Sequence, residues 1–280
     1  NNHMISVKLM GGLGNQMFQI FTALAHMLKH GYLLGLENQV LLPNANTTDR
    51  TVYWDSVFET LKCFRQPTVS LPLYHEQAFH YTEIPANDNI QLYGYFQSWK
   101  YFEQQKEQIL CILRIQDMQD AARKTVCGRS IVGTTGIHFR FGDYVKLQKY
   151  HPLMTKEYYA NALKHIHLED PDVRMISYIC EDQDLDRVNE IIEYLKATTG
   201  SGLRFQRCKG DEDQDEMILF SLCKNHILAN STFGWWGAYL SDRKGIVCYP
   251  SIWFGPEKGT VNTTDLFLDT WTKIDAAGAV

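Results

Sequence analysis

The chain has 280 residues, of which 45% are apolar, 21% charged and 12% aromatic, and it carries a formal net charge of −5. That composition describes a folded protein with chain enough for a sizeable core, and it excludes a disordered one and a surface built throughout for nucleic acid. The length fits one large domain or two of roughly 140 residues, no apolar run nears the ~20 residues of a membrane-spanning helix, and no secretory leader pattern is present.

The opening Asn1-Asn2-His3 reads as an extraneous leader ahead of a start at Met4. Ile5 to Met10 predicts a strand that runs into Gly11-Gly12-Leu13-Gly14. Met17, Phe18, Phe21, Leu24, Ala25 and Leu28 then recur at helical spacing, with Asn15 as a candidate cap and Gly31 as the stop. Strand, glycine turn, helix is the opening of an α/β fold. The stretch from 40 to 100, with Pro43, Pro67, Pro72 and Pro85, predicts short elements and loops. Phe102 to Ile115 predicts a helix, and the polar stretch 116–130 with Gly128 predicts a domain boundary.

Beyond it the pattern is regular. Strands are expected within Ile131 to Phe139, at Val173 to Ile179, Leu203 to Phe205, His226 to Ala229 and, as the last, Ile246 to Tyr249. Helices are expected at Lys156 to His167, Leu185 to Ala197, Glu212 to Cys223 and Gly234 to Leu240. This alternation predicts a parallel, doubly wound sheet, whose ligands sit at the carboxyl ends of the strands.

The residues that follow each strand are therefore the candidates. Gly11 to Gln16 could bring backbone amides to an anion or could simply turn the chain. Met17 breaks a dinucleotide fingerprint, and the loop lacks the Lys-Ser/Thr of a phosphate-binding Walker loop. His138-Phe139-Arg140-Phe141-Gly142-Asp143-Tyr144 concentrates an imidazole, a guanidinium fork and a carboxylate, with His138 and Arg140 on one strand face. A loop-fixing Arg–Asp pair would use the same residues. Glu181-Asp182-Gln183-Asp184 could accept hydrogen bonds from a ligand's ring nitrogens or ribose, although capping by Asp182 or Asp184 is the plainer reading. Asn230-Ser231-Thr232-Phe233 precedes a helix, where hydroxyls and amides suit phosphate, and Trp235 and Trp236 read as core.

Metal patterns fail in detail. His75 and His80 are one position too far apart for a zinc-protease motif, and Glu216 stands where a calcium loop following Asp211 needs glycine. The acidic run 211–215 reads instead as a solvated helix start. No Gly-x-Ser-x-Gly is present. Seven scattered cysteines without a Cys-x-x-Cys read as reduced, mostly buried thiols of a cytoplasmic protein, with peripheral membrane association left open. The sequons at Asn46, Asn230 and Asn262 then read as chance matches.

Four blocks in order resemble glycosyltransferase family 11, the α-1,2-fucosyltransferases. They are Gly11-Gly12-Leu13-Gly14-Asn15-Gln16-Met17-Phe18-Gln19, Gly94-Tyr95-Phe96-Gln97-Ser98-Trp99-Lys100-Tyr101-Phe102, His138 to Tyr144, and Asn230 to Leu240 preceded by Ser221-Leu222-Cys223-Lys224. Phe141 stands where the family usually has a second Arg, Trp99 where Glu is usual, Gly234 for a Ser and Tyr239 for a Trp, while Glu181-Asp182 replaces a pair of aspartates.

The resemblance implies a GT-B-like α/β architecture of two Rossmann-like domains facing a cleft. Residues 4–128 would form an acceptor-side domain and 129–280 a GDP-fucose-binding domain. It implies GDP-β-L-fucose as co-substrate, a galactose-terminated oligosaccharide as acceptor, an α-1,2 linkage formed with inversion, and neither metal nor other cofactor. The expected catalytic residues are Arg140, Asp143 and His138. The expected donor-binding residues are His138, Arg140, Glu181, Asp182, Asn230, Ser231, Thr232 and Phe233, with Gly12, Asn15 and Gln16 touching donor or acceptor. Another nucleotide-sugar transferase, or a glycan-binding protein without activity, is the alternative.

Overall fold

The computed structural model describes residues 3–38, 51–87, 89–200 and 202–276. Asn1, Asn2, Pro43 and the sequon at Asn46 lie outside the described residues. Two compact units are present, 1–117 with 262–268 and 118–261 with 269–280.

In the first unit β1 (Met4–Val7) leads through Gly11, whose φ of 75° requires glycine, into α1 (Leu13–His30). Gly12 is the N-cap and makes no side-chain cap bond, so the cap expected of Asn15 is not formed. The stop is as expected: Gly31, at φ 68°, donates its N–H to the Met27 carbonyl. β2 (Leu33–Leu34), β3 (Leu36–Glu37), β4 (Arg65–Gln66), β5 (Leu73–His75) and β6 (Ile90–Tyr93) follow. The sheet order is β2-β1-β6-β5, every pairing is parallel, and β3 pairs with β4. β6 is a central strand within the stretch expected to be loops and short elements. Ile90, Gln91 and Leu92 are all buried, so they show no alternation to read.

The helix expected from Phe102 to Ile115 is broken. After short 3-10 turns, α2 (Lys106–Ile112) ends, Arg114 adopts φ 55°, and α3 (Ile115–Lys124) starts afresh. The expected boundary at 128/129 also shifts, because the division falls inside α3, between Asp117 and Met118. The polar stretch 116–130 is not a linker: α3 is followed by α4 (Val126–Ile131), which Thr125 caps at 2.9 Å from the Gly128 N–H. Gln119, 3% exposed, donates to the Ser221 hydroxyl and the Leu240 carbonyl and so ties α3 into the second unit. Its polarity marks a buried hydrogen-bonding position, which composition alone reads as exposed.

The second unit runs β7 (Thr135–His138), α5 (Lys156–Glu169), β8 (Met175–Ile179), α6 (Leu185–Thr199), β9 (Arg204–Arg207), α7 (Asp213–Ser221), β10 (Asn225–Ile227), α8 (Thr232–Tyr239), β11 (Val247–Pro250) and β12 (Thr272–Ile274). All its strands are parallel, in the order β9-β8-β7-β10-β11-β12. The chain builds outward from β7 to β9, then returns to the other side of β7 for β10. That is the dinucleotide-binding strand order, with its switch point between β7 and β10. β12 is an additional strand beyond the one expected to be last; it follows the return of residues 262–268 to the first unit. The class is α/β, with a parallel, Rossmann-like sheet in each unit.

Gly136 lets α7 pack against β7, since a Cβ there would lie 2.5 Å from the Phe220 ring. Trp235 and Trp236 are fully buried, as expected of core residues. The expectation of seven reduced thiols fails at one pair: Cys127 in α4 and Cys208 after β9 are disulfide-bonded, with Cα atoms 6.2 Å apart. An 81-residue separation hid that pairing from spacing arguments. Among the described residues no helix is long and apolar enough to cross a membrane.

Three histidines are buried and held neutral. Burial takes His26 and His226 down to about 4 and His138 to about 3, assisted by His30 and Lys29 at His26 and by Arg140 at His138. The unfolded chain takes up these protons below pH 6.5 and the folded chain does not, so stability is lost as pH falls from about 6.5 toward 4. Each histidine is expected to cost about 2 kcal/mol at pH 5. Urea midpoints at pH 7 and pH 5 check this, and the fall should be smaller in His226→Gln.

Candidate active site

The carboxyl ends of β10, β7 and β8 lie side by side and carry three of the candidate segments. Alternation continues past β7. Phe139 and Phe141 turn into the core, where their rings are 6.4 Å apart and Phe139 lies 4.7 Å from Tyr159. Arg140 turns to the other face and pairs with Asp143 at 2.5 Å and with Glu181. Its guanidinium lies 4.7 Å over the Tyr144 ring, and its side chain is 18% exposed. A permanently charged fork this enclosed needs compensating charge and hydrogen bonds. Asp143 and Glu181 supply both while remaining 57% and 49% exposed themselves.

Gly142 makes this arrangement possible. Its φ is 39°, and a Cβ there would lie 2.7 Å from Arg140 Nη1 and 2.8 Å from Glu181 Oε2. Its N–H donates to both carboxylate oxygens of Asp184, at 3.1 and 3.0 Å. Asp184 is 7% exposed and makes no cap bond to α6, so its carboxylate binds the β7 loop to the β8 loop. The capping role considered for Asp182 is likewise absent. Asp182 is paired with Arg207 at 2.6 Å and Lys209 at 2.8 Å, which hold its carboxyl below the usual range.

His138 is 5% exposed, its ring centroid is 5.1 Å from that of Phe233, and its carbonyl accepts from the Tyr159 hydroxyl. Nδ1 is buried without a partner, and a Cβ on Gly234 would lie 2.8 Å from it. The imidazole is therefore a sealed, neutral packing group.

Ser231 caps α8, its hydroxyl accepting from the Phe233 N–H at 3.3 Å, and Thr232 opens the helix. The Tyr144 hydroxyl donates to the Asn230 carbonyl at 3.3 Å and links the β7 and β10 loops. The Asn230 amide donates to the carbonyls of Pro152 and Trp253, so it serves loop positions. The structure thus gathers Arg140, Asp143, Glu181, Tyr144, Asn230 and Ser231 at the switch point, while Asp182 faces Arg207 and Lys209. Phe141, where a second Arg was the familiar residue, is 1% exposed, with the Arg187 guanidinium 5.2 Å over its ring.

Gly12, Asn15 and Gln16 belong to the first unit. Asn15 accepts from the Gln97 amide at 2.8 Å, and Gln16 donates to the carbonyls of Gly11 and Thr51. Gln19 joins the Met10 N–H to the Gly94 carbonyl. The first two sequence blocks are thereby locked together at the carboxyl edge of that sheet.

Two carboxylates here were not foreseen as site residues. Asp184 was visible only as a possible cap. Glu76 carried no motif beyond a failed zinc pattern, yet burial raises its carboxyl to about 7 against the amides of Phe96 and Tyr95. Among the described residues no group of three His, Cys, Asp or Glu is disposed to hold a metal ion.

The chain matches glycosyl transferase family 11 over residues 1–275 and belongs to that family. It is similar to an Escherichia coli α-1,2-colitosyltransferase, 26% identical over 97% of this chain and 99% of that protein. It is 23% identical to a Caenorhabditis elegans galactoside 2-α-L-fucosyltransferase, over 97% of this chain and 79% of that one. Among solved structures, the R284K mutant of Arabidopsis thaliana FUT1 in complex with GDP is 12% identical, with a TM-score of 0.49 over 96% of this chain and 76% of that one.

Two measurements follow. Asp184→Ala leaves the Gly142 N–H without its acceptor and is expected to lower unfolding stability by about 1–3 kcal/mol in urea titrations. Glu76 retains a proton in the folded state that the unfolded chain releases above about pH 4.5. Its stabilisation is full below that pH and is lost as pH rises through about 7, a change of about 3 kcal/mol. Glu76→Gln should flatten the urea midpoint over that interval.

Proposed function

We propose that the protein transfers L-fucose from GDP-β-L-fucose to the 2-hydroxyl of a terminal β-galactoside, with inversion and without a metal ion. Family membership and the named activity of the nematode relative support this reading. The observation that carries it is the Arg140 fork at the switch point, on the loop that the Tyr144 hydroxyl ties to Asn230 just ahead of α8. Breaking the bond between sugar C1 and phosphate oxygen puts charge on the diphosphate, and a preorganised guanidinium stabilises that charge most where water is scarce. Ser231, Thr232 and the first amides of α8 add donors. Glu181 and Asp182 hold the guanosine through its ribose hydroxyls and ring N–H groups, at the strand end where such acids act in dinucleotide folds.

The acceptor hydroxyl must lose a proton as it attacks C1. We assign that proton to Asp143, which is exposed and adjacent to Arg140. His138 is a poor alternative, because an imidazole held down to about 3 in the core is weakly basic and out of reach. Its contribution is to pack behind Phe233 and keep the loops in register. Gly12, Asn15 and Gln16 shape the first unit's edge.

A second reading, transfer of a different sugar from its nucleotide, is favoured by the colitosyl relative, which shares the α-1,2 linkage in its name. A glycan-binding role without catalysis would use Arg140 only to fix its loop and gives no reason for a guanidinium at a phosphate-favouring strand end. Arg140→Ala is expected to lower turnover and GDP affinity each by about 100-fold or more. Turnover and calorimetry on the purified variant check this, and near-parental turnover would reject the assignment.

A further inference from the structure

The Tyr144 ring that lies under the Arg140 guanidinium is also stacked on His151, with centroids 4.6 Å apart and planes 16° from parallel. His151 in turn meets the Phe254 ring, tilted at 57° with centroids 6.1 Å apart. The loops bring these rings together. The Leu147 N–H donates to the Tyr144 carbonyl and the His151 N–H to the Leu147 carbonyl, at 2.9 and 2.8 Å, so successive turns return His151 to Tyr144. The Gly255 N–H donates to the Tyr150 carbonyl at 2.8 Å and the Glu257 N–H to the Lys149 carbonyl at 3.0 Å, which carries Phe254 to the same place.

Asn230 clamps the set. It is 2% exposed, its carbonyl accepts from the Tyr144 hydroxyl, and its amide donates to the carbonyls of Pro152 and Trp253, the neighbours of His151 and Phe254. Burial lowers the His151 pKa from its ordinary value, with Lys258 and Arg140 acting in the same direction and Asp143 against it. The ring that stacks on Tyr144 is therefore uncharged at neutral pH.

A guanidinium binds two phosphate oxygens in the plane of its fork, so the tilt of that plane decides how well a diphosphate is held. Asp143 and Glu181 hold the fork by the same N–H groups that a diphosphate would take, whereas the stack on Tyr144 uses none of them. Stacking on an aromatic face fixes the tilt, and fixes it better when that ring cannot itself turn. We propose that His151 is a positioning residue: by stacking on Tyr144 it sets the plane in which Arg140 meets the donor diphosphate. This rests on the phosphate-binding reading of Arg140 above.

Calorimetry with GDP and steady-state transfer from GDP-fucose to methyl β-D-galactopyranoside test this on the full chain. His151→Leu fills the space without a flat ring, and it is expected to weaken GDP about ten-fold and to lower kcat, with the acceptor KM unchanged. His151→Phe restores the flat face and should return GDP affinity to within about two-fold of the parent. A residue that only filled space would tolerate leucine, so parental GDP affinity in folded His151→Leu would overturn the proposal, as would a His151→Phe no better than His151→Leu. If His151→Leu fails to fold, NMR of the parent decides: His151 ring signals that move on saturation with GDP uphold the coupling to Arg140, and signals unmoved by GDP overturn it. Arg140→Ala separates the two failures. Unchanged GDP affinity in that variant rejects the phosphate reading, whereas a loss there with none in His151→Leu rejects only the positioning role.

Discussion

The arrangement at the carboxyl edge depends on one enclosed positive charge. Arg140 cannot release its proton, and its side chain is 18% exposed. Asp143 and Glu181 compensate it, Tyr144 lies under it, and Gly142 gives up its side chain so that the pair with Glu181 can form. Asp184 then anchors the loop through the Gly142 amide, and the Tyr144 hydroxyl carries the linkage to the β10 loop. An anion that bound Arg140 would take the place of carboxylates already there. Net charge across the chain is −5, so the attraction is local and geometric, not a property of the whole surface.

Much of the second unit was legible because its helices and strands alternate with clear periods, and a parallel order leaves few topologies. Arg140, Asp143 and Ser231 could be named because they follow strands. The first unit was harder. β6 is buried along Ile90, Gln91 and Leu92, so it lacks the two-residue period that marks a half-exposed strand. The stretch 116–130 reads as a boundary because it is polar, although Gln119 within it is buried and donates to the Ser221 hydroxyl and the Leu240 carbonyl. The Cys127–Cys208 bond, the Asp184 contact to Gly142 and the Glu76 loop all join residues distant in sequence, and no local pattern encodes such pairs.

Position also reinterprets departures from the family pattern. Phe141 points into the core with Phe139, so its alternation, not its chemistry, removes it from the face that Arg140 occupies. His138, which looked like a titrating group from its place in the motif, is held neutral by burial beneath Phe233. What the β7 loop presents at the edge is the Arg140 guanidinium with the exposed carboxylates of Asp143 and Glu181 beside it. That combination suits a reaction in which a diphosphate departs and a hydroxyl is deprotonated.

The reaction proposed for this edge is transfer of fucose without help from a metal ion. The most direct measurement is incubation with GDP-fucose and a panel of β-galactosides in excess chelator, with the product linkage read by NMR. The expected product carries an α-fucosyl residue on O2 of the terminal galactose, formed at the same rate with and without chelator. Transfer abolished by the chelator, or a product carrying the sugar at another position, would contradict it.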